Sequence, residues 1–474
     1  MAATPISRKR QRDAFDLDAA LDQCVGQNLA SLPSATPALF KAFVGALRPS
    51  VRGAFLATHS PEAVVTVLRE IFELASVPRA RGVVKASVGN SASGDAVVAI
   101  VCMDDQAFVV DTAHVFLSRS ERTYERGLHM PIAVTRDAAG NMVSLGGSGA
   151  LESIVYCEAS GPRVGDAAAE SATLASYLAH AAAVVNDFGA TREVLLAAAS
   201  ELDALGTKDA TEIAAFVRWL HVERSRHFLL MGASFDGVAD LGIQNAANAA
   251  TAALRTEVGG AEAWPKTHLG GAVGVRKSTV ESTVHRRGRL DEIIVAVGET
   301  KRLFLRGLFT FAAVTAPSRS VPVVRRMLDA VIARIVGGGD AATTSHYFKM
   351  VSNTFDSLPT EYLLSVGTDS EGKIAEMLEL LVVSEEAEAV GSSFMQSREG
   401  DVFCCITTPR SDDAFSGSLQ HKISEMLKGA TGASYVQSGV IQSATGKSVL
   451  LHFFLTDGAT LPTGAALDEL DAVV

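Results

Sequence analysis

The spacing of apolar residues predicts that the first part of the chain, residues 1–80, is an N-terminal tail followed by helices. Ser60 is suited to an N-cap, Pro61 to the first helical position, and Glu62 places an acid in the first turn. The apolar residues behind them recur at helical spacing and end before Pro78: Val64, Leu68, Ile71, Phe72 and Ala75. We therefore expect an amphipathic helix that begins at residue 61.

From about Gly82 the pattern changes to short β-rich runs that alternate with helices. It predicts strands over residues 96–102, 130–135 and 153–158, and helices over 105–118 and 166–188. The order β-α-β-β-α is typical of a ferredoxin-like unit, in which two helices pack on one face of an antiparallel sheet. We assign the first such domain to residues 81–205.

The same alternation returns twice. Strand patterns at 228–235, 292–297 and 304–314, with a helix over 322–336 that ends at Gly337-Gly338-Gly339, indicate a second domain over 206–340. A helix over 371–388, a strand over 402–407, a helix over 415–428 and a strand over 448–456 indicate a third over 341–474. The sequence therefore predicts an α+β protein of tandem β-α-β-β-α-β units, alike in pattern and not in exact residues.

Charge and hydropathy limit the partners. The formal net charge of -11 argues against nucleic-acid binding, because affinity for phosphates comes from clustered Lys and Arg. A basic run at residues 8–12 fits a nuclear address, a transit peptide or a solvated tail. No apolar run reaches the ~18 residues of a membrane helix. We expect a soluble cytoplasmic protein without membrane contacts, with a mitochondrial location as the alternative.

Cysteine, histidine and glycine spacings carry no recognisable chemistry. The chain has 5 cysteines without a C-x-x-C pair, which indicates buried thiols in a reducing compartment, and no grouped ligands for a metal. The nearest approach to a dinucleotide-binding motif is Gly270-Gly271-Ala-Val-Gly274, which opens no predicted helix, and a P-loop is lacking. We therefore expect no metal, no cofactor and no catalytic residue in this chain.

Two polar segments are the candidate sites. Asp104 and Asp105 follow a predicted strand, where they would cap the next helix or face a ligand. The densest polar segment is 277–286, with Asp291 close behind. Ser282, His285 and Asp291 are the residue types of a nucleophilic triad, but an alternating β-like sequence would point Ser282 and His285 to opposite faces. An interface or ligand contact is the preferred interpretation of this segment.

Several segments of the sequence, taken in order, resemble a known family. VCMDDQAFVVD resembles the motif that opens the first ACT-like domain of the large NAD-specific glutamate dehydrogenases, with Asp105, Phe108, Val110 and Asp111 at matching positions. The resemblance continues in order through AAFVRWL, HFLLMG, STVHR, RGLFTFAA, VPVVRRM, SHYFKMVSNTFDSLP and the Pro409-Arg410 pair. It covers roughly residues 81–456.

The resemblance implies tandem ACT-like units that regulate and assemble an enzyme of glutamate catabolism. In the family, the glutamate-binding and NAD-binding domains follow this region, whereas this sequence stops at Val474, so we expect no catalysis by this chain alone. The implied partners are a second copy of the chain, a glutamate dehydrogenase catalytic region, and an amino-acid effector. The candidate effector or interface residues are Asp104, Asp105, Asp111, Lys277, Ser282, Thr283, His285 and Arg286.

One departure from the family concerns the loop after the first strand. Amino-acid-binding ACT domains carry a glycine there, and residues 103–107 contain none, which argues against a ligand at that loop. Two other functions stay open. One is NAD-dependent glutamate dehydrogenase activity, the oxidative deamination of glutamate to 2-oxoglutarate, with catalysis supplied elsewhere. The other is a stand-alone amino-acid sensor.

Overall fold

The structure is a computed structural model, and it describes these residues: 37–47, 51, 55, 59–91, 94–221, 227–236, 238–245, 247–259, 264, 267–314, 316–335, 345–367, 371–396, 400–409, 416–442 and 446–473. Four features singled out in the sequence lie outside the described residues: the basic run 8–12, Cys24, the glycines 337–339, and Arg410.

The chain divides into two compact units. The first unit comprises residues 1–182 and 283–287, and the second comprises 183–282 and 288–474. Within the described ranges, one antiparallel sheet lies in the first unit and two lie in the second. The α+β class is therefore confirmed, while the predicted boundaries at 80, 205 and 340 stay predictions.

In the first unit, helices α1 (Pro37–Leu47) and α2 (Pro61–Ser76) pack on one face of the sheet. Ser60 caps α2, since its side chain accepts a hydrogen bond from the Ala63 amide at 3.3 Å. The apolar positions that recur at helical spacing, Phe72 among them, are buried against the sheet. The predicted start of α2 at residue 61 is confirmed.

The first sheet has the strand order β1-β2-β5-β3-β4. Its strands are β1 (Lys85–Asn90), β2 (Val97–Asp104), β3 (Thr123–Arg136), β4 (Met142–Leu145) and β5 (Ala150–Ser160), with α3 (Val109–Arg119) between β2 and β3 and α4 (Ala167–Ala204) after β5. α4 begins in the first unit and continues into the second.

Strand β2 is buried on both faces, which is why its sequence is a continuous apolar run. Val98 and Ile100 pack with α2, while Ala99 and Val101 pack with Phe116 of α3 and with the start of α4. The ferredoxin-like order is thus present as β2-α3-β3-β5-α4. The strand at the edge of the sheet beside β2 is β1, which comes before β2 in the chain. The predicted β-α-β-β-α-β order would instead place there a strand that comes after α4.

The second unit begins with the rest of α4 and α5 (Lys208–Leu220), followed by a sheet of order β7-β6-β10-β9-β8. The strands are β6 (Phe228–Phe235), β7 (Val238–Gly242), β8 (Val273–Glu281), β9 (Arg289–Val297) and β10 (Lys301–Phe309). Among the described residues no α-helix lies between β6 and β9, so this sheet departs from the predicted unit. The predicted strand 304–314 ends at residue 309, and α6 (Phe311–Val314) follows it.

Four helices, a third sheet and two further helices complete the described part of the second unit. The helices are α7 (Val324–Ile335), α8 (His346–Ser357), α9 (Thr360–Val366) and α10 (Glu371–Glu386). The sheet has the order β11-β12-β14-β13, from β11 (Gly391–Gln396), β12 (Val402–Pro409), β13 (Tyr435–Gln442) and β14 (Ser448–Thr456), with α11 (Gly417–Thr431) after β12 and α12 (Ala465–Val473) after β14. As in the first sheet, the edge strand precedes its neighbour in the chain.

The described cysteines are free and buried: Cys102, Cys157, Cys404 and Cys405. Burial raises the pKa of the Cys102 and Cys157 thiols to about 12, so both are unreactive at neutral pH. In the part of the chain that the structure describes, no helix is long and apolar enough to cross a membrane. No group of His, Cys, Asp and Glu suited to a metal ion is found in the same residues.

Candidate effector site

A buried cluster of charged side chains forms around Lys277, on the edge strand of the second sheet. Lys277 lies opposite Asp291 in the β8–β9 register, and its ammonium is 2.7 Å from Asp291 Oδ1. Glu361, in the first turn of α9, places Oε2 at 3.3 Å from the same ammonium. The three side chains are 5%, 2% and 4% exposed, so this cation and both carboxylates are removed from solvent.

Among the described residues, the Lys277 ammonium lies beside two carboxylates, and other groups donate further hydrogen bonds to them. The Phe309 amide donates to Asp291 Oδ2 at 3.0 Å, and Gln437 Nε2 donates to Glu361 Oε1 at 3.2 Å. Burial raises the pKa of Asp291, and the attraction of Lys277 only partly opposes that effect. Such a cluster depends on all of its members, because a buried charge without its partner is costly.

The neighbouring cross-strand pair forms a second ionic group. Arg276 lies opposite Glu292, with 2.9 Å between Arg276 Nε and Glu292 Oε2. The other carboxylate oxygen is 3.3 Å from Arg306 Nε and accepts a hydrogen bond from Thr256 at 3.1 Å. The Arg276 guanidinium lies 4.3 Å from the centre of the Trp264 ring. Packing on the ring and pairing with Glu292 fix the position of this guanidinium.

A cavity of about 460 Å³ lies beside these two pairs, entirely within the second unit. Strand β8 forms one wall, and the residues at the end of β14 and before β12 form another. The lining residues are mostly polar: Thr256, Arg276, Lys277, Ser278, Thr279, Glu292, Gly400, Asp401, Thr456, Asp457, Gly458 and Ala459. A cavity of this size could hold a small molecule, although its lining is more polar than that of most small-molecule sites.

Thr456 is the unusual member of that lining. The residue is 4% exposed, and its hydroxyl oxygen is inaccessible to solvent and has no hydrogen-bond partner among the described residues. Buried hydroxyls normally have a hydrogen-bond partner, either a protein group or an ordered water. The next residue, Asp457, has a φ of 59° and accepts hydrogen bonds from Arg289 and from Ser434. The strand end that carries Thr456 is therefore held in place.

The first unit brings together other residues that the sequence had singled out. His285 Nδ1 lies 2.9 Å from Asp111 Oδ2, although the two are 174 positions apart in the chain. The His285 ring meets Phe108 edge-on, with 5.5 Å between ring centres, and Thr283 Oγ1 is 2.9 Å from His180 Nδ1. The segment 283–287 is thus part of the first unit through polar and aromatic contacts.

Part of the first unit matches a known protein family. Residues 47–173 match the family described as glutamate dehydrogenase, ACT1 domain. We refer to this matched stretch as the ACT1 domain. The match runs from the end of α1 through the whole first sheet to the first turns of α4, and it confirms the resemblance noted in the sequence for this region. The chain therefore contains a glutamate dehydrogenase-related regulatory domain.

In the ACT1 domain, the loop after β2 is organised differently from the prediction. Asp104 and Asp105 do not cap α3, because the helix begins at Val109 and its N-cap is Phe108, with a left-handed φ of 70°. Asp104 instead pairs with Arg79 at 2.7 Å, and Asp105 accepts a hydrogen bond from Ser153 at 2.5 Å. Burial would raise the pKa of Asp104, but the Gly82 amide and Arg79 reverse the shift and lower it.

Ser282, His285 and Asp291, the three residues of the types found in a nucleophilic triad, have separate partners. The Ser282 hydroxyl contacts Met231 Sδ at 3.8 Å, His285 pairs with Asp111, and Asp291 pairs with Lys277. The segment is also not one alternating strand, since β8 ends at Glu281. Arg286 lies in the turn that follows, where its amide donates to the Val284 carbonyl at 2.8 Å. The predicted candidates are thus separated: Lys277 lines the cavity, Ser282 lies in the second unit outside the cavity lining, and the others lie in the first unit.

Two buried histidines of the second unit predict a pH dependence of its stability. Burial lowers the pKa of His268 and of His452 to about 4, so each is neutral when folded at neutral pH. The folded-state pKa lies below the unfolded value of about 6.5. The stabilisation from each neutral histidine is therefore fully present above about pH 6.5 and is lost as the pH falls toward about 4. The loss amounts to about 3 kcal/mol per histidine at most.

Urea unfolding at pH values from neutral to acidic measures this effect. His452→Gln should flatten the pH dependence between about 6.5 and 4, because glutamine does not titrate. His421→Gln, in α11, is the control, and it should keep the full dependence. An unchanged slope in the His452 variant would show that this ring does not titrate on unfolding.

Proposed function

We propose that this chain is a non-catalytic regulatory and assembly region of a large NAD-dependent glutamate dehydrogenase, and that it acts in glutamate catabolism. The ACT1 match over residues 47–173 carries the proposal. An effector that bound one arrangement of these domains more tightly than another would shift the enzyme between the two states, which is the physical requirement for allostery.

The assembly role is supported by the sheet edges. Strand β13 lies at the edge of the third sheet, and its side chains are partly or fully exposed along its length. An exposed edge offers unpaired backbone groups to another chain. We propose that a second copy of the chain or the catalytic region of the enzyme covers such edges in the working protein.

The glycine segment that comes nearest to a nucleotide-binding motif supports a non-catalytic role, because its structure does not suit a nucleotide. Leu269–Gly271 forms a single 3₁₀ turn that leads directly into strand β8. A dinucleotide site needs glycines that open an α-helix, whose N-terminal amides hold the pyrophosphate. The alternatives are dehydrogenase activity with catalysis supplied elsewhere, and a stand-alone amino-acid sensor.

Calorimetric titration of the purified chain with NAD⁺ tests this proposal. We expect no binding heat, and no NADH formation when glutamate is added. Adding the chain to a dehydrogenase catalytic region should change that enzyme's glutamate dependence, and the two should comigrate in size-exclusion chromatography. Micromolar NAD⁺ binding would overturn the non-catalytic assignment, and a failure to associate together with tight amino-acid binding would favour the stand-alone sensor.

A further inference from the structure

We propose that the turn before α7 is a strained joint, in which Glu212 of α5 holds Val323 in a left-handed backbone conformation and releases the start of α7 when that hold is lost. The joint lies inside VPVVRRM, a segment that stood out in the sequence and to which neither the cavity nor the ACT1 domain gives a role. Because all of its residues lie in the second unit, this device goes beyond the function proposed from the ACT1 match.

The backbone of Val323 carries the strain. Its φ is 64°, in the left-handed region, and the residue is 1% exposed. A β-branched side chain crowds its own backbone there, so this conformation is about 5–30-fold less populated than ordinary backbone. Val321, two residues earlier, is also buried but has an extended backbone with a φ of -85°. The two valines therefore share a side chain and a buried setting and differ in backbone conformation.

The carboxylate of Glu212 holds the joint. Its Oε1 accepts a hydrogen bond from the Val323 amide at 3.2 Å, and its Oε2 pairs with Arg326 in the first turn of α7. The Glu212 side chain is 10% exposed, so water competes little for these contacts. A hydrogen bond to a charged group changes an equilibrium by about tenfold or more, which is comparable with the population that the left-handed conformation loses. One carboxylate is thus enough to hold the strained turn.

Helix α7 is placed to pass a movement on to the third sheet. It packs on α8 and α10, and α10 packs on strands β11 and β12. The turn itself is tied to the segment between α8 and α9, since the Ser318 hydroxyl donates to the Leu358 carbonyl at 3.3 Å. Packed helices shift between discrete arrangements and do not deform continuously. Release of the first turn of α7 would therefore reach the third sheet through α10.

Glycine and alanine at two positions test the strain. Val323→Gly and Val323→Ala are compared with Val321→Gly and Val321→Ala by urea unfolding of the full chain. At both positions the step from alanine to glycine removes one buried methyl group, so that loss cancels in the comparison. Glycine adopts a left-handed backbone without a steric penalty. The glycine-to-alanine ratio of folding equilibrium constants should therefore be higher at 323 than at 321 by about fivefold or more.

The same comparison in a Glu212→Ala background tests the role of the carboxylate. Without it the turn should relax to ordinary backbone, and the excess ratio at 323 should fall below about twofold, the limit of additivity for independent sites. Asp209→Ala is the matched control. Asp209 also lies on α5 and pairs with Arg326, at 2.8 Å, but it is 63% exposed, and the Val323 amide donates to Glu212. In that background the excess ratio should persist.

Hydrogen exchange measured by mass spectrometry follows the release of α7 and needs no substitution in its buried turn. Peptides from the start of α7 should exchange about tenfold faster in Glu212→Ala than in the unaltered chain, and peptides from α10 should also lose protection. Both sets of peptides should keep their rates in Asp209→Ala.

The joint is refuted if the glycine-to-alanine ratio is the same at 323 and 321, if its excess persists without Glu212, or if the two α5 variants exchange alike. Failure of the proposed function would look different. That function is tested by NAD⁺ binding and by association with a catalytic region, and neither measurement depends on the backbone of Val323.

Discussion

Replacing Lys277 with alanine is expected to lower the free energy of unfolding of the second unit by about 3–5 kcal/mol, because the change removes the ammonium that two buried carboxylates contact. Asp291 and Glu361 are 2% and 4% exposed, and both rely on the Lys277 ammonium. Urea unfolding followed by tryptophan fluorescence measures the loss, since both tryptophans, Trp219 and Trp264, lie in the second unit.

Lys301→Ala is the matched control for that experiment. Lys301 also pairs with a glutamate, Glu201, at 2.8 Å, but the two side chains are 45% and 42% exposed. A surface pair contributes about 0–1 kcal/mol, so this variant should unfold almost as the unaltered chain does. Equal effects of the two substitutions would mean that the Lys277 cluster is hydrated and that its burial does not determine its energy.

Replacing Glu152 with alanine is expected to have a similar effect on the ACT1 domain, again about 3–5 kcal/mol. Glu152 is bound by Arg136 at 2.7 and 2.9 Å and by Arg79 at 2.8 Å, and the Arg79 side chain is 1% exposed. Burial alone would raise the pKa of Glu152, but the two guanidiniums lower it, so the ionised carboxylate stabilises the fold until the pH falls through that lowered pKa.

Hydrogen exchange measured by mass spectrometry can follow this loss in the ACT1 domain. Peptides from strands β2 and β5 should exchange faster in Glu152→Ala, while peptides from the third sheet should be unchanged. Glu73→Ala is the control, because Glu73 pairs with Arg69 at 2.9 Å on the exposed side of α2 and is 57% exposed. If β2 and β5 keep their protection in the Glu152 variant, the two arginines do not depend on this carboxylate.

Elements with a strong apolar pattern could be predicted from the sequence alone. The strands at 228–235 and 448–456 have the predicted bounds, and α2 begins at the capped proline. β1 was missed because only Val88 of its residues is buried, and a polar edge strand carries little periodic signal. β13 was missed for the same reason, since its side chains stay partly exposed throughout.

The candidate site was predictable only in part. Lys277 and Asp291 stand out because they lie in or just behind the densest polar segment of an otherwise apolar sequence, and both belong to the cluster. Glu361 and Thr456 were missed, since they approach from α9 and from the end of β14, far along the chain. Sequence periodicity reports which face of an element is buried and does not report which distant element covers it.

The position of β1 has a consequence for how the ACT1 domain folds. β1 and β2 are neighbouring segments that pair as a hairpin, with Lys85 opposite Cys102. The strand on the other side of β2 is β5, which lies much further along the chain. Because loop closure over a short distance is fast, we expect the apolar strand to pair with β1 before it pairs with β5. A fragment that began at β2 would expose a bare apolar edge and would tend to exchange strands with other chains. β11 and β12 of the third sheet repeat this order, so the same early protection is available at both ends of the protein.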